Sequence, residues 1–73
     1  MANKKQQAID LAIKIVKKHR INLNNIESIE AARVSLDIAL NTFGVYPGYQ
    51  SVAQRALNYL NDENNFIEIT EKL

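Results

Sequence analysis

The stretch FGVYPGYQSVAQRAL, residues 43–57, decides which helical fold the chain can adopt. It joins two segments of helical periodicity through a glycine and a Pro-Gly pair, and the second segment directs Gln, Arg and Asn outward. Residues 46–49, Tyr-Pro-Gly-Tyr, suit a type II turn with Pro second and Gly third. Ser51 followed by Gln54 has the form of a helix-capping box. The stretch therefore predicts either a DNA-reading helix-turn-helix or the corner of a small helical bundle.

Two longer segments upstream also have helical periodicity. Residues 3–20 place apolar side chains on one arc and polar ones on the other, which is typical of an amphipathic helix. Asn24 with Glu27 predicts a capped start for a second helix, which runs to about Phe43 and ends at Gly44. The three helices together predict a core of Ile9, Ile13, Val16, Ile29, Leu36, Leu40, Phe43, Val52, Ala56 and Leu60.

The tail, residues 66–73, is ambiguous between strand and helix. Ile67 and Ile69 alternate with polar residues, which favours a strand or irregular structure. Asn65 with Glu68 has the capping spacing of a short fourth helix reaching Leu73. We therefore predict one all-α domain over residues 1–73, a small three-helix bundle with a short C-terminal strand or an extra helical turn.

Composition narrows the function classes. The chain has 73 residues, no cysteine and one histidine, which excludes disulfides and leaves no cluster of metal ligands, so we expect neither metal nor cofactor. Asp10 and Lys14 interrupt the first apolar segment, so we expect no signal peptide, no membrane association and a cytoplasmic location. Asn and Ile are both abundant in this sequence, as expected of a protein encoded by an AT-rich genome, which suggests a low-GC bacterium or its phage.

An enzyme is the least supported class. The two glycines both fall at predicted turns, so there is no glycine-rich phosphate loop, and the lone His19 has no cysteine partner. Charge is instead unevenly distributed along the chain. Residues 1–33 carry seven Lys or Arg and three acidic residues, whereas residues 34–73 carry two and five. This polarity favours a binding protein.

The second helix carries a second apolar stripe. Ala31, Val34 and Ile38 lie at i, i+3 and i+7, opposite the stripe assigned to the core. Isolated exposed apolar residues are common on monomers. A helix buried on two sides is nevertheless the favoured interpretation, and it predicts self-association into a homodimer or larger oligomer through these residues.

Tyr46 and Tyr49 flank the Pro-Gly pair, and Arg55 follows on the third helix. Tyr and Arg are the residue types enriched where protein interfaces gain most of their energy. We therefore predict a protein-binding surface at Tyr46, Tyr49 and Arg55. The predicted function is that of a small non-enzymatic regulator or inhibitor that acts by binding another protein, whose identity the sequence does not give.

The alternative is a DNA-binding transcriptional regulator in which helices two and three form a helix-turn-helix-like unit. Amide and guanidinium side chains can bond base edges bidentately, and lysines can grip phosphates. The long connection before Gln50 and the single cation on helix three count against this alternative. Its candidate nucleic-acid contacts are Gln50, Gln54, Arg55 and Asn58 on helix three, and Lys14, Lys17 and Lys18 on helix one.

Overall fold

A computed structural model describes residues 3–42 and 47–73. Within these ranges the chain is all-helical and has no strand, which confirms the all-α prediction. The strand alternative for the tail is therefore not formed. The helices, in chain order, are α1 (Lys4–His19), α2 (Asn25–Thr42), α3 (Pro47–Asn61) and α4 (Phe66–Glu71), with a short 3-10 turn (Glu63–Asn65) before α4.

Side-chain caps explain why α1 and α2 begin where the sequence predicted. The Oδ1 atom of Asn3 accepts a hydrogen bond from the Gln6 backbone N–H at 2.8 Å. Asn24 Oδ1 accepts from the Glu27 N–H at 2.8 Å, and Glu27 Oε1 accepts from the Asn24 N–H at 3.4 Å. This is the reciprocal capping box, and it satisfies backbone donors that lack an intrahelical partner.

The start of α3 differs from the prediction. The helix begins at Pro47, so the predicted type II turn over residues 46–49 is wrong where the structure describes it. Proline lacks an N–H and has a preset φ, both of which suit the first position of a helix. Gly48 lies in the first turn of α3, whose helical backbone differs from the positive φ that the turn requires. Ser51 and Gln54 consequently lie inside the helix and do not cap it.

The core lies where α1, α2 and α3 pack against one another in pairs. Of the residues predicted to form this core, Ile9, Leu40 and Val52 are half-buried and pack against it. Phe43, which was predicted to belong to the core, and Gly44, which was predicted to end α2, lie outside the described residues. The predicted core residues that are buried are Ile13, Val16, Ile29, Leu36, Ala56 and Leu60.

Small residues make up much of the remaining core. An alanine at a helix contact lets two backbones approach closely. The core predicted from the sequence omits four buried alanines, because large side chains were given more weight. Ser28 is also fully buried, and its hydroxyl donates to the Leu23 carbonyl at 3.4 Å, so the buried hydroxyl has a partner. The additional buried alanines are Ala8, Ala12, Ala32 and Ala53.

The C-terminal helix α4 is anchored by one apolar side chain and two hydrogen bonds. Ile69 is 1% exposed, whereas Ile67 is 69% exposed, so α4 directs the two isoleucines to different sides. The Tyr59 hydroxyl donates to Glu68 Oε2 at 2.6 Å, and Asn65 Nδ2 donates to the Tyr59 carbonyl at 3.0 Å. These contacts attach the tail to the end of α3.

Candidate functional site

The second apolar stripe of α2 is exposed in the folded chain. We call Ala31, Val34 and Ile38 the outer stripe; Val34 is 54% and Ile38 53% exposed, and Ala31 is half-buried. Leu36, on the opposite face, is 1% exposed. The outer stripe therefore adds little to the core, as expected for a surface available to another molecule.

A groove between α2 and α3 continues the outer stripe. It encloses about 390 Å³, and Val34 from α2 and Leu57 from α3 supply its apolar surface. We call it the α2–α3 groove. Its remaining lining residues are polar or charged: Glu30, Arg33, Asp37 and Asn61.

The charged groups that line this groove form no ion pair with any other described residue. Within residues 3–42 and 47–73, the one ion pair closer than 4.0 Å joins Lys72 Nζ to Glu68 Oε1 at 3.9 Å, and neither residue lines this groove. Asp37 Oδ1 accepts a hydrogen bond from Asn41 Nδ2 at 3.1 Å. Within the described residues, Glu30 and Asp37 therefore border the groove as carboxylates that form no ion pair, although Arg33 lines the same groove.

Arg55 lies at a second cleft, which encloses about 380 Å³ between the start of α1, the end of α3 and α4. We call it the Arg55 cleft. Of the predicted protein-binding set, Tyr46 falls outside the described residues and so does the side chain of Tyr49. The tyrosine beside Arg55 is Tyr59, which sequence analysis did not single out. The other residues lining the Arg55 cleft are Lys5, Ala8, Ile9, Asn58, Asp62, Asn65 and Glu68.

The electrostatics of the Arg55 cleft are balanced. Lys5 and Arg55 supply two positive charges, and Asp62 and Glu68 supply two negative ones. Burial, followed by the hydrogen bond to Glu68 and the charge of that carboxylate, raises the pKa of Tyr59 above its usual value. The hydroxyl thus stays protonated and acts as a donor, not as a nucleophile. A cleft with this balance suits a polar protein surface better than a phosphate backbone.

The proposed DNA contacts lie on more than one surface. Gln54 Nε2 donates to Asn58 Oδ1 at 3.1 Å, so these two amides bond each other on the exposed face of α3. Lys14 and Lys17 line a pocket with Asp10, Ile13 and Lys72, and this pocket shares no residue with the Arg55 cleft. Gln50 and Lys18 are exposed. Lys72, from the acidic half of the chain, thus joins the lysines of α1.

Among the described residues there is neither a metal site nor a membrane-spanning helix. Among the described residues, no group of three His, Asp or Glu side chains is placed to hold a metal ion. His19 instead lies with Nε2 3.2 Å from Ser35 Oγ, which links α1 to α2. In the same part of the chain, no helix is both long and apolar enough to cross a bilayer.

The groove residues Glu30, Asp37 and Leu57 were missed by sequence reasoning. Glu30 and Asp37 are seven residues apart and therefore share a helix side next to Val34, a pattern that could have been read from the helical periodicity of α2. Leu57 had no such signal, because its position depends on how α3 packs against α2.

Comparison with known proteins gives no relative. The chain matches no protein-family model, no curated protein and no solved structure.

Proposed function

We propose that this protein is a small non-enzymatic regulator or inhibitor that acts by binding another protein, and that it comes from a low-GC bacterium or its phage. The observation that supports the proposal is the exposed outer stripe. Val34 and Ile38 are both more than half exposed on a helix whose opposite face is buried. A monomer needs one apolar face on each helix, and contiguous exposed apolar surface is typical of interaction sites.

The Arg55 cleft supports the same proposal from a second surface. Arg55 is exposed, and Tyr59 presents a half-buried ring in the same cleft. Arginine and tyrosine side chains next to each other are typical of the residues that dominate protein interfaces. The balanced charge of the cleft matches a partner that carries both signs.

Affinity capture tests the proposal. The immobilised wild-type chain and a Val34→Glu/Ile38→Glu variant are exposed to a lysate of a low-GC bacterium, with Ile21→Glu/Ile67→Glu as the matched control. Ile21 is 80% and Ile67 69% exposed, so this control adds the same two charges away from the outer stripe. We expect a protein that the wild type and the control retain and the stripe variant loses. If the wild type and both variants retain the same proteins, or if none of the three retains any protein, the outer stripe is not a protein-binding surface.

Self-association through the outer stripe stays a prediction. If it occurs, replacing Val34 and Ile38 by Lys should give a folded monomer, because the charges would be buried in the interface. Light scattering over a range of concentrations measures this. A wild-type chain that is already monomeric at high concentration contradicts the prediction.

DNA binding is the second candidate function, and the observation that favours it is the exposed polar face of α3, with Gln50, Gln54 and Arg55 directed to solvent. Fluorescence anisotropy with mixed-sequence duplex DNA at low and moderate salt tests it. Binding that weakens steeply with salt, and loses sequence preference in a Gln54/Arg55/Asn58 triple-alanine variant, supports this function. Absence of binding at low salt excludes it.

A further inference from the structure

We propose that the α2–α3 groove binds an amphipathic helix of the partner protein, and that Lys or Arg residues flank the apolar face of this helix. The inference depends on the proposed function, since it gives the chemistry of the partner at the outer stripe. It is carried by the groove between α2 and α3, by the exposed apolar outer stripe next to it, and by two carboxylates that form no ion pair within the described residues.

The groove and the outer stripe together form an elongated surface on which apolar side chains are bordered by polar and charged ones. Val34 belongs to both, Leu57 extends the apolar surface towards α3, and Ala31 and Ile38 extend it along α2. A groove between two helices is a common receptor for a third helix, which contributes apolar anchors at i, i+3 or i+4 and i+7. The three α2 positions of the outer stripe have the same spacing, so a helix lying along α2 can match them.

The charges at the groove determine which helix fits best. Glu30 and Asp37 are both exposed, are seven residues apart, and lie on one side of the outer stripe. Seven residues span about 10.5 Å of helix, so cations two turns apart on the bound helix would meet both carboxylates. Arg33, which lies between them in the sequence, is half-buried and also lines the groove. Its positive charge offsets one of the two carboxylates, so the groove has an excess of one negative charge.

A second copy of this chain fits the same surface less well. Glu27 lies four residues before Ala31 and therefore in line with the outer stripe. If two α2 helices paired in parallel, Glu27 of each copy would face Glu27 of the other. If they paired antiparallel about Val34, Glu30 would lie opposite Ile38 of the second copy and one residue along the helix from its Asp37. Both arrangements bring like charges together, which opposes pairing.

A displayed peptide library tests the charge preference directly. Its members are helical peptides with Leu fixed at i, i+3, i+4 and i+7 and with either Lys or Glu at each flanking position. We expect selection on the wild-type chain to enrich Lys over Glu about fivefold, from the value of two exposed ion pairs. Selection on a Glu30→Lys/Asp37→Lys variant should reverse the preference to Glu. An Asp10→Lys/Glu71→Lys variant has the same change in net charge at exposed residues away from the groove, so it should keep the Lys preference.

The outcomes separate this inference from the proposed function. A preference for Lys that reverses only in the groove variant supports the inference. It is overturned by the absence of any Lys preference, by a preference that the groove variant leaves unchanged, or by an equal loss in the Asp10/Glu71 variant. A wild-type dimer that Val34→Lys/Ile38→Lys converts to a monomer also overturns it, because a second copy then covers the surface. If capture still depends on the outer stripe while the Lys preference is absent, the proposed function stands and this inference alone fails. Circular dichroism of each variant checks that the helices are intact.

Discussion

Replacing Ile69 by Ala removes the side chain that anchors α4, and the neighbouring Ile67 provides a control within the same short helix. Ile69 is 1% exposed and Ile67 is 69% exposed. In a strand, residues two apart share a face, so the two substitutions would have similar effects. In α4 the two side chains are about 200° apart around the helix axis, so only one of them can point into the core.

The expected loss of stability follows from this burial. Truncation of a buried Ile to Ala typically costs about 2–5 kcal/mol. Because α4 has only six residues, the cavity can partly collapse, and we expect about 2–3 kcal/mol. For a domain of this length, that corresponds to a decrease in Tm of roughly 10–20 °C. Ile67→Ala should change the free energy of unfolding by less than about 0.5 kcal/mol.

Urea and thermal unfolding followed by far-UV circular dichroism measure both variants. A small effect of both substitutions would mean that α4 does not pack against the core. A large effect of both would mean that the two isoleucines share a buried face, as in a strand. Either result would refute the reasoning from the two exposures.

Three further predictions test local features of the fold. Asn24→Ala removes the cap of α2 and should cost about 1 kcal/mol in urea unfolding; an unchanged midpoint would contradict a role for the cap. Tyr59→Phe removes the hydrogen bond to Glu68 and should cost about 1 kcal/mol at neutral pH. Because the pKa of Tyr59 is raised in the folded protein, this contribution is fully present below the usual tyrosine pKa of about 10 and is lost as the pH rises further, so the wild-type chain should lose its advantage over the variant in alkaline urea titrations. Ala12→Leu overfills a fully buried position and should cost about 1–3 kcal/mol, whereas Lys18→Leu on the exposed face of α1 should be nearly neutral in the same assay.

Helix starts were predictable where the signal is local. The bonds between Asn24 and Glu27 involve residues three apart in sequence, so the pattern alone identified them. The start of α3 was not predictable in the same way, because Pro47 suits both the second position of a type II turn and the first position of a helix. Gly48 made the turn more plausible, since glycine within a helix costs about 1 kcal/mol relative to alanine. The packing of α3 against α1 and α2 compensates for that cost.

Side-chain size explains the errors in the predicted core. A large apolar residue on a periodic face is easily assigned to the core, and Val16, Leu36 and Leu60 are buried as predicted. Ala12 and Ala53 are fully buried because two helices approach each other there, and the sequence does not show which helices meet at which point. The same limit applies to the site: Arg55 was identified from its residue type, but Lys5 joins it only through the contact between α1 and α3.

The charge asymmetry along the sequence does not correspond to a division of the folded chain into a basic and an acidic half. By halves, the chain is basic first and acidic second, yet Lys72 from the second half lines a pocket with Lys14 and Lys17. The excess negative charge that borders an apolar surface is instead on α2, at Glu30 and Asp37. A partner attracted only by net charge would have no preferred face, since the whole chain carries +1. A partner that contacts both the apolar outer stripe and the carboxylates beside it is directed to this face of α2, and this combination is the reason to expect a basic amphipathic helix there.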